Sequence, residues 1–553
     1  MIKINEKDFI DEIRYDIKVK DMLKATLVLD YIKEIDEKTQ RQALFELSRA
    51  DDNFSIPLLI NILMKNPSLH DTLPMLKETL YAKFLDNPLV FNEILGSEMD
   101  KDKRIILIRV AGEIRLETAS GVILSIINGE DDERIIKSAV WALGMIGDPK
   151  ATSSITEYMY SGNAELTITA IQALGQVASP SAIQKLSEKL NADHDLDILI
   201  LDVFAQVQSP EALEELNNCL SSHFAHQRTT AKQRLVKIGY KAMPNLIKNL
   251  LQEDPDLLIH TLNVIGEIGD ESAIPSIRKL LHNDPKDPNV RFAAYETLGM
   301  LPVKKGALAL ASGLQDPVDN VRVAAARAID VNYNIVLAAG LKNILREDGP
   351  EKQNIIKVII DAECDNIFLD LCKEDHLSED MEQYIRQEAH PELQSHFIEL
   401  LNENGMSEVA TKIRPTETRA ETKMLKVFAV DDSKMILSIY RSVLHNLNCK
   451  SYLYEFPSEA INKVSIERPD IILTDLNMPD ISGIDLTKEI RKLYKKDDLP
   501  IIMVTTQNEV KDNEAAFQAG VNKIIQKPFN EEDIGKVLAE FIQNDRRQLL
   551  RLR

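Results

Sequence analysis

The stretch VWALGMIGDPKA, residues 140–151, runs from small apolar residues through a Gly to an apolar residue two positions later, then into a polar turn at Asp148-Pro149. The same grammar returns in IQALGQVASPSA (171–182), DVFAQVQSPEA (202–212), NVIGEIGDESA (263–273) and YETLGMLPVKKGA (295–307). The residue before the small position falls at Leu143, Leu174, Phe204, Leu235, Ile265, Leu298, Ile329 and Ile360, a period of about 30 to 33 residues. Weaker echoes at Leu47, Leu80 and Ala111 carry it toward the N-terminus. One period has room for two helices of roughly ten to twelve residues and two turns. Asp148-Pro149, Ser179-Pro180 and Ser209-Pro210 read as helix starts. The cap oxygen accepts a free backbone N–H, and Pro has no N–H to leave unsatisfied. Alanines such as Ala293, Ala294, Ala324, Ala325 and Ala326 let helices approach closely, so stacked helical hairpins are expected.

This period, together with DPNVRFAA (287–294) and DPVDNVRVAAA (316–326), resembles HEAT repeats of the short variety over about residues 20–400. The resemblance implies an all-α solenoid, placed here at residues 1–402, whose surface binds another protein and is only occasionally an enzyme, as in the bilin lyases.

At 553 residues the chain is too long for one core, and a hydrophobic fraction of 44% with 28% charged residues belongs to a folded, soluble protein. Asp and Glu number 88 against 66 Lys and Arg, a formal net charge of −22. Residues 424–553 hold 19 Lys and Arg against 20 Asp and Glu, so the excess belongs to the repeats. Such a surface repels nucleic acid and anionic membranes. Aromatic residues are only 5%, with Trp141 alone of its kind, which disfavours base-stacking platforms. Cys219, Cys364, Cys372 and Cys449 form no CxxC pair and suit a reducing compartment. The N-terminus lacks the apolar run of a signal peptide, and no stretch approaches the ~18 apolar residues of a membrane span. A cytoplasmic protein without membrane insertion or nucleic-acid binding is expected.

After a polar stretch at 403–423, read as a linker, the pattern changes. The short apolar runs LKVFAV, SYLYEF, DIILT, PIIMVT and KIIQ alternate with five helical segments. Strict alternation predicts an α/β domain at 424–545, a doubly wound five-stranded parallel sheet covered on both faces. Its site belongs at the carboxyl ends of the strands. There stand Asp431 and Asp432 after the first strand, Asp475 after the third, Thr505 ending the fourth and Lys527 after the fifth. Three crowded carboxylates need a cation, and hard oxygen ligands suit Mg²⁺. A carboxylate beside that cation, with a hydroxyl and an ammonium nearby, can accept a phosphoryl group.

FAVDDSK, IILTDLNMPDISG, IIMVTT and IIQKPF, in this order, resemble the receiver domain of two-component response regulators, the CheY-like family. The resemblance implies Asp475 as phosphoacceptor, Asp431 and Asp432 as the acidic pair on Mg²⁺, and a backbone carbonyl of Asn477 as a further metal ligand. Thr505 would bind the phosphoryl group and Lys527 would pair with it. Met478-Pro479 and Gly483 fit the turn after the acceptor. Ile524 stands where the family usually carries Tyr or Phe, which puts the Thr/aromatic switch in question. Gln507 and Asn477 would tune the lifetime of the aspartyl phosphate.

No kinase signature or separate enzymatic domain is visible, so the phosphoryl donor is expected to be a sensor histidine kinase, a phosphotransfer protein or a small phosphodonor. The solenoid would bind a protein partner, or act as a scaffold. Alternatives are a constitutive scaffold with the receiver as docking module, and a lyase-like catalyst in the repeats. Residues 546–553 form a basic tail, read as a solvated helix end.

Overall fold

Polar caps and left-handed C-terminal residues punctuate the repeats, and both follow from sequence. In the computed structural model the described residues are 6–66, 69, 73–191, 193–301, 307–346, 349–389, 391–414, 424–478, 481–505, 510–527 and 529–541. The chain forms two units, Met1–Leu216 and Asn217–Arg553, so the α/β domain shares its unit with the later repeats.

In the first unit the helices Lys101–Glu113 (α1), Glu133–Ile146 (α2), Ala164–Val177 (α3) and His194–Val207 (α4) pack each on the next. Asp100, Asp132, Asn163 and Asp193 cap them, each side chain accepting a backbone N–H from the first turn. Gly147 ends α2 in the left-handed region; Ala178 and Gln208 take the same conformation after α3 and α4 without Gly, at φ 51° and 52°. Ser179 accepts from the Ala182 N–H and Ser209 from the Ala212 N–H, both at 3.2 Å, so these Ser-Pro pairs open helices as read.

The Gly of the repeat motif lies where two such helices touch. A Cβ on Gly144 would sit 2.5 Å from the Cα of Ala173, on backbone that cannot swing away. Gly144→Val should therefore destabilise the first unit by about 1–3 kcal/mol, seen as a lowered melting temperature.

In the second unit the helices Ala225–Ile238 (α5), Pro255–Ile268 (α6), Pro288–Met300 (α7), Asp319–Val331 (α8) and Pro350–Asp361 (α9) continue the pattern, again each against the next. Among the described residues before 415 there is no strand. Helix Pro391–Glu403 is followed by Ser407–Lys412, with Ala410 and Ile413 buried. The stretch expected as a linker at 403–423 is thus helical and packed as far as Ile413, while 415–423 lie outside the described residues. No described helix is long and apolar enough to cross a membrane.

The C-terminal domain is the expected alternation: β1 Leu425–Val430, α10 Lys434–Asn446, β2 Cys449–Tyr454, α11 Pro457–Ile466, β3 Ile471–Thr474, α12 Gly483–Arg491, β4 Ile501–Thr505, α13 Val510–Ala519, β5 Lys523–Gln526 and α14 Glu531–Phe541. All neighbouring strands are parallel, in the order β2-β1-β3-β4-β5. Alternate strand residues feed opposite cores. Val427, Ala429, Leu473 and Val504 meet Tyr440, Leu444, Phe529 and Leu538 on one face, and Phe428, Val430, Ile472 and Ile501 meet Ala460, Val464, Leu486 and Ile490 on the other.

Candidate functional site

Backbone bonds that prolong the sheet by one residue fix the acidic and basic groups at its carboxyl edge. The Asp431 N–H donates to the Tyr454 carbonyl at 3.1 Å, the Asp475 N–H to the Val430 carbonyl at 2.9 Å and the Lys527 N–H to the Thr505 carbonyl at 2.8 Å. The chain leaves Asp475 through a turn closed by the Gly483 N–H on the Leu476 carbonyl at 2.9 Å. A side chain at Gly483 would collide with the Asp475 carbonyl, so only Gly permits this turn.

Five of the six expected site residues converge on this edge, four of them almost fully enclosed: Asp431 is 0% exposed, Thr505 1%, Asp475 9% and Lys527 9%. The Lys527 ammonium donates to Asp431 Oδ2 at 2.6 Å and pairs with Asp475 Oδ1 at 3.2 Å. The Ser433 N–H donates to Asp431 Oδ1 at 3.0 Å. Asp432 is exposed at the mouth, and Asn477, also exposed, lies two residues beyond Asp475. Gln507 and Pro479 lie outside the described residues. Ile524 is half-buried and packs against Leu476, Met503, Ala516 and Val521.

The edge is electrostatically unfinished. Burial pushes the Asp431 carboxyl up, against the pull of Lys527, and repulsion from Asp475 adds to it. Loss of solvation and repulsion from Asp475 also raise Asp432. Burial alone would lower Lys527, but the Asp431 and Asp475 carboxylates outweigh it and hold the ammonium charged. Two carboxylates thus share one buried cation, with the charge of Asp432 nearby. Hard oxygen donors with surplus negative charge have the chemistry for Mg²⁺, although no three acidic, His or Cys side chains among the described residues are drawn together around a single point.

Sequence reasoning missed what covers the mouth. Ser433 Oγ donates to Glu296 Oε1 of α7 at 3.3 Å, and Asn320 Nδ2 of α8 donates to the Phe529 carbonyl, two residues past Lys527, at 3.0 Å. Phe292 and Val323 pack on the α/β core. Arg441 pairs with Glu363, and Ser442 Oγ donates to Asp361 Oδ2 at 3.1 Å. The only trace in sequence is charge at one repeat position, Glu296 and Arg327, each two residues before the apolar helix-end residue.

Asp361 makes this contact sensitive to pH. Burial pushes its carboxyl up to about 6, with Lys357 and the donors Tyr384 and Ser442 opposing. A folded pKa above the unfolded one favours folding at low pH, and that contribution fades as pH rises from about 4 through 6. Asp361→Asn should remove the effect. The wild-type urea midpoint, relative to the variant, should fall across that window by no more than about 3 kcal/mol equivalent.

Residues 427–539 match the family model of the response regulator receiver domain, and residues 90–168 and 243–330 that of HEAT repeats. The chain is 34% identical over 120 residues to a chemotaxis protein CheY homolog of Campylobacter jejuni, covering 92% of that protein and 21% of this chain. It is 36% identical over 107 residues to the chemotaxis protein CheY1 of Helicobacter pylori, covering 86% of it and 19% of this chain. Against the aerobic respiration control sensor protein ArcB of Escherichia coli the identity is 27% over 117 residues, 21% of this chain and only 15% of ArcB. Among solved structures, the chemotaxis protein CheY4 of Vibrio cholerae is 30% identical, with 22% of this chain and 99% of that one covered at a TM-score of 0.21.

Proposed function

Because the chain belongs to the response regulator family through its receiver domain, we propose that it is a phosphorylation-dependent signalling adaptor, with Asp475 as phosphoacceptor and the HEAT repeats as the protein-binding output. The observation that carries this reading is the buried Lys527 bridging Asp431 and Asp475 at the carboxyl edge of a parallel sheet. Asp475 presents a carboxylate oxygen with little water around it. That oxygen attacks phosphorus as the bond from phosphorus to the donor nitrogen breaks. The electron pair stays on the leaving nitrogen, which takes a proton from water. Lys527 neutralises one equatorial oxygen, and the Thr505 hydroxyl donates to another. Asp431, Asp432, Asp475 and the Asn477 carbonyl would hold Mg²⁺, which when bound offsets the charge of acceptor and incoming phosphoryl group. The donor is a sensor histidine kinase, a phosphotransfer protein or a small phosphodonor.

The polar contacts between the receiver and α7 to α9 favour a second reading, in which the receiver is a constitutive docking module. Incubation with Mg²⁺ and phosphoramidate separates the two. The adaptor gains one phosphoryl group by intact mass and retains a different set of partners on affinity capture. A mass that never changes, or identical capture with and without phosphoramidate, sinks the adaptor reading.

A further inference from the structure

The chain following β1 and the chain following β5 form two lips of the phosphoryl pocket, and a different repeat helix holds each. On α7, Phe292 packs on the α/β core, and Glu296, one turn later, accepts from Ser433 Oγ at 3.3 Å. The Ser433 N–H in turn donates to Asp431 Oδ1 at 3.0 Å. On α8, Val323 packs on the same core, and Asn320, one turn earlier, donates from Nδ2 to the Phe529 carbonyl at 3.0 Å. Asn320 is 5% exposed and Phe529 2%, so little water reaches this bond. The Phe529 ring stacks on Tyr440 of α10, centroids 4.7 Å apart, which fixes the residue from its side chain as Asn320 fixes it from its backbone. An amide enclosed at this depth costs stability unless it is bonded, and Leu, of similar size, would pack there without that demand. What the Asn320 amide holds is the loop that carries Lys527.

We propose that Asn320, a residue of the repeats, is a positioning residue of the phosphoryl pocket: through the Phe529 carbonyl it sets where the Lys527 ammonium stands against Asp475. The link is short. Pro528 alone separates Phe529 from Lys527, and a residue before Pro is biased to extended backbone, so a shift at Phe529 reaches Lys527 with little slack. On the strand side the Lys527 N–H is held by the Thr505 carbonyl at 2.8 Å. The lysine is therefore pinned between the sheet and the repeats, with its ammonium 2.6 Å from Asp431 and 3.2 Å from Asp475. Transfer needs that ammonium beside the oxygens on phosphorus, and an ångström of misplacement costs up to about a hundredfold in rate. Helix α8 is a firm platform for the task, since it packs against both α7 and α10 and presents Asn320 and Val323 on one face. Asn320 touches neither acceptor nor donor and acts through Lys527.

This inference rests on Asp475 being the phosphoacceptor, and the experiment separates the two claims. The full chain is incubated with Mg²⁺ and a series of phosphoramidate concentrations, and the initial rate of phosphoryl gain is read by intact mass. Asn320→Asp keeps the shape of the side chain but turns an acceptor, not a donor, toward the Phe529 carbonyl. Its maximal rate should fall about tenfold while the half-saturating phosphoramidate concentration moves by less than about twofold, the split left when an interaction made in the transition state is lost. Should Asp loosen the fold, Asn320→Ala, which adds no charge, is expected to show the same split. Val323→Ala is the control for a merely structural contact. It thins the packing of the same helix face on the same core, so the melting temperature should fall while the maximal rate stays within about twofold of wild type. A wild-type rate in Asn320→Ala, or an equal loss of rate in Val323→Ala, overturns the proposal and leaves the receiver reading intact. A wild-type chain that gains no phosphoryl group on Asp475 overturns the receiver reading and this inference with it.

Discussion

Asp475→Asn should gain no phosphoryl group under conditions in which the wild-type chain gains one, a loss of more than about a hundredfold by intact mass. The amide matches the carboxylate in shape but offers no anionic oxygen to attack phosphorus. The neighbours cannot substitute. Asp431 is fully enclosed and bonded to Lys527 at 2.6 Å, while Asp432, open at the mouth, has no bond to Lys527. The variant should fold normally. Its backbone bond to the Val430 carbonyl survives, and the ion pair it loses is the longer of the two on Lys527, at 3.2 Å against 2.6 Å. The melting temperature should therefore barely move, which ties any loss of phosphoryl gain to chemistry. Equal gain in variant and wild type would place the acceptor elsewhere.

How far the sequence carries depends on the range of the interaction that each feature records. The repeats are legible because each unit writes its own cap, small contact residue and turn within about 30 residues, as at Asp132, Gly144 and Gly147. The receiver is legible because strand ends collect Asp431, Asp475, Thr505 and Lys527 at a spacing the parallel topology dictates. Two things were not. The helix Ser407–Lys412 has six residues and few apolar positions, too short to announce itself; it stands because Ala410 and Ile413 dock on preceding helices. The cover over the pocket joins Glu296 to Ser433 and Asn320 to Phe529, residues 137 and 209 positions apart. No local periodicity records a contact of that separation. It required the fold to show that α7 to α9 and the receiver share one unit.

Lys527→Met tests the same pocket as structure and as chemistry at once. Asp431 has no exposure and depends on this ammonium and on the Ser433 N–H for its charge. Removing one partner of a buried pair leaves the other uncompensated, which costs about 3–5 kcal/mol. The urea midpoint of the unit holding the receiver should drop accordingly, and phosphoryl gain should vanish because an equatorial oxygen loses its cation. Adding Asp431→Asn to Lys527→Met removes both charges. The double variant should recover most of the lost stability, the signature of coupling between neighbours in a double-mutant cycle. It should recover none of the phosphoryl gain, since the cation and an acidic group are both still missing. A double variant whose loss of stability equals the sum of the losses in Lys527→Met and Asp431→Asn measured singly would mean that the two side chains act independently, and the 2.6 Å bond could not then be what holds Asp431 charged within the sheet edge.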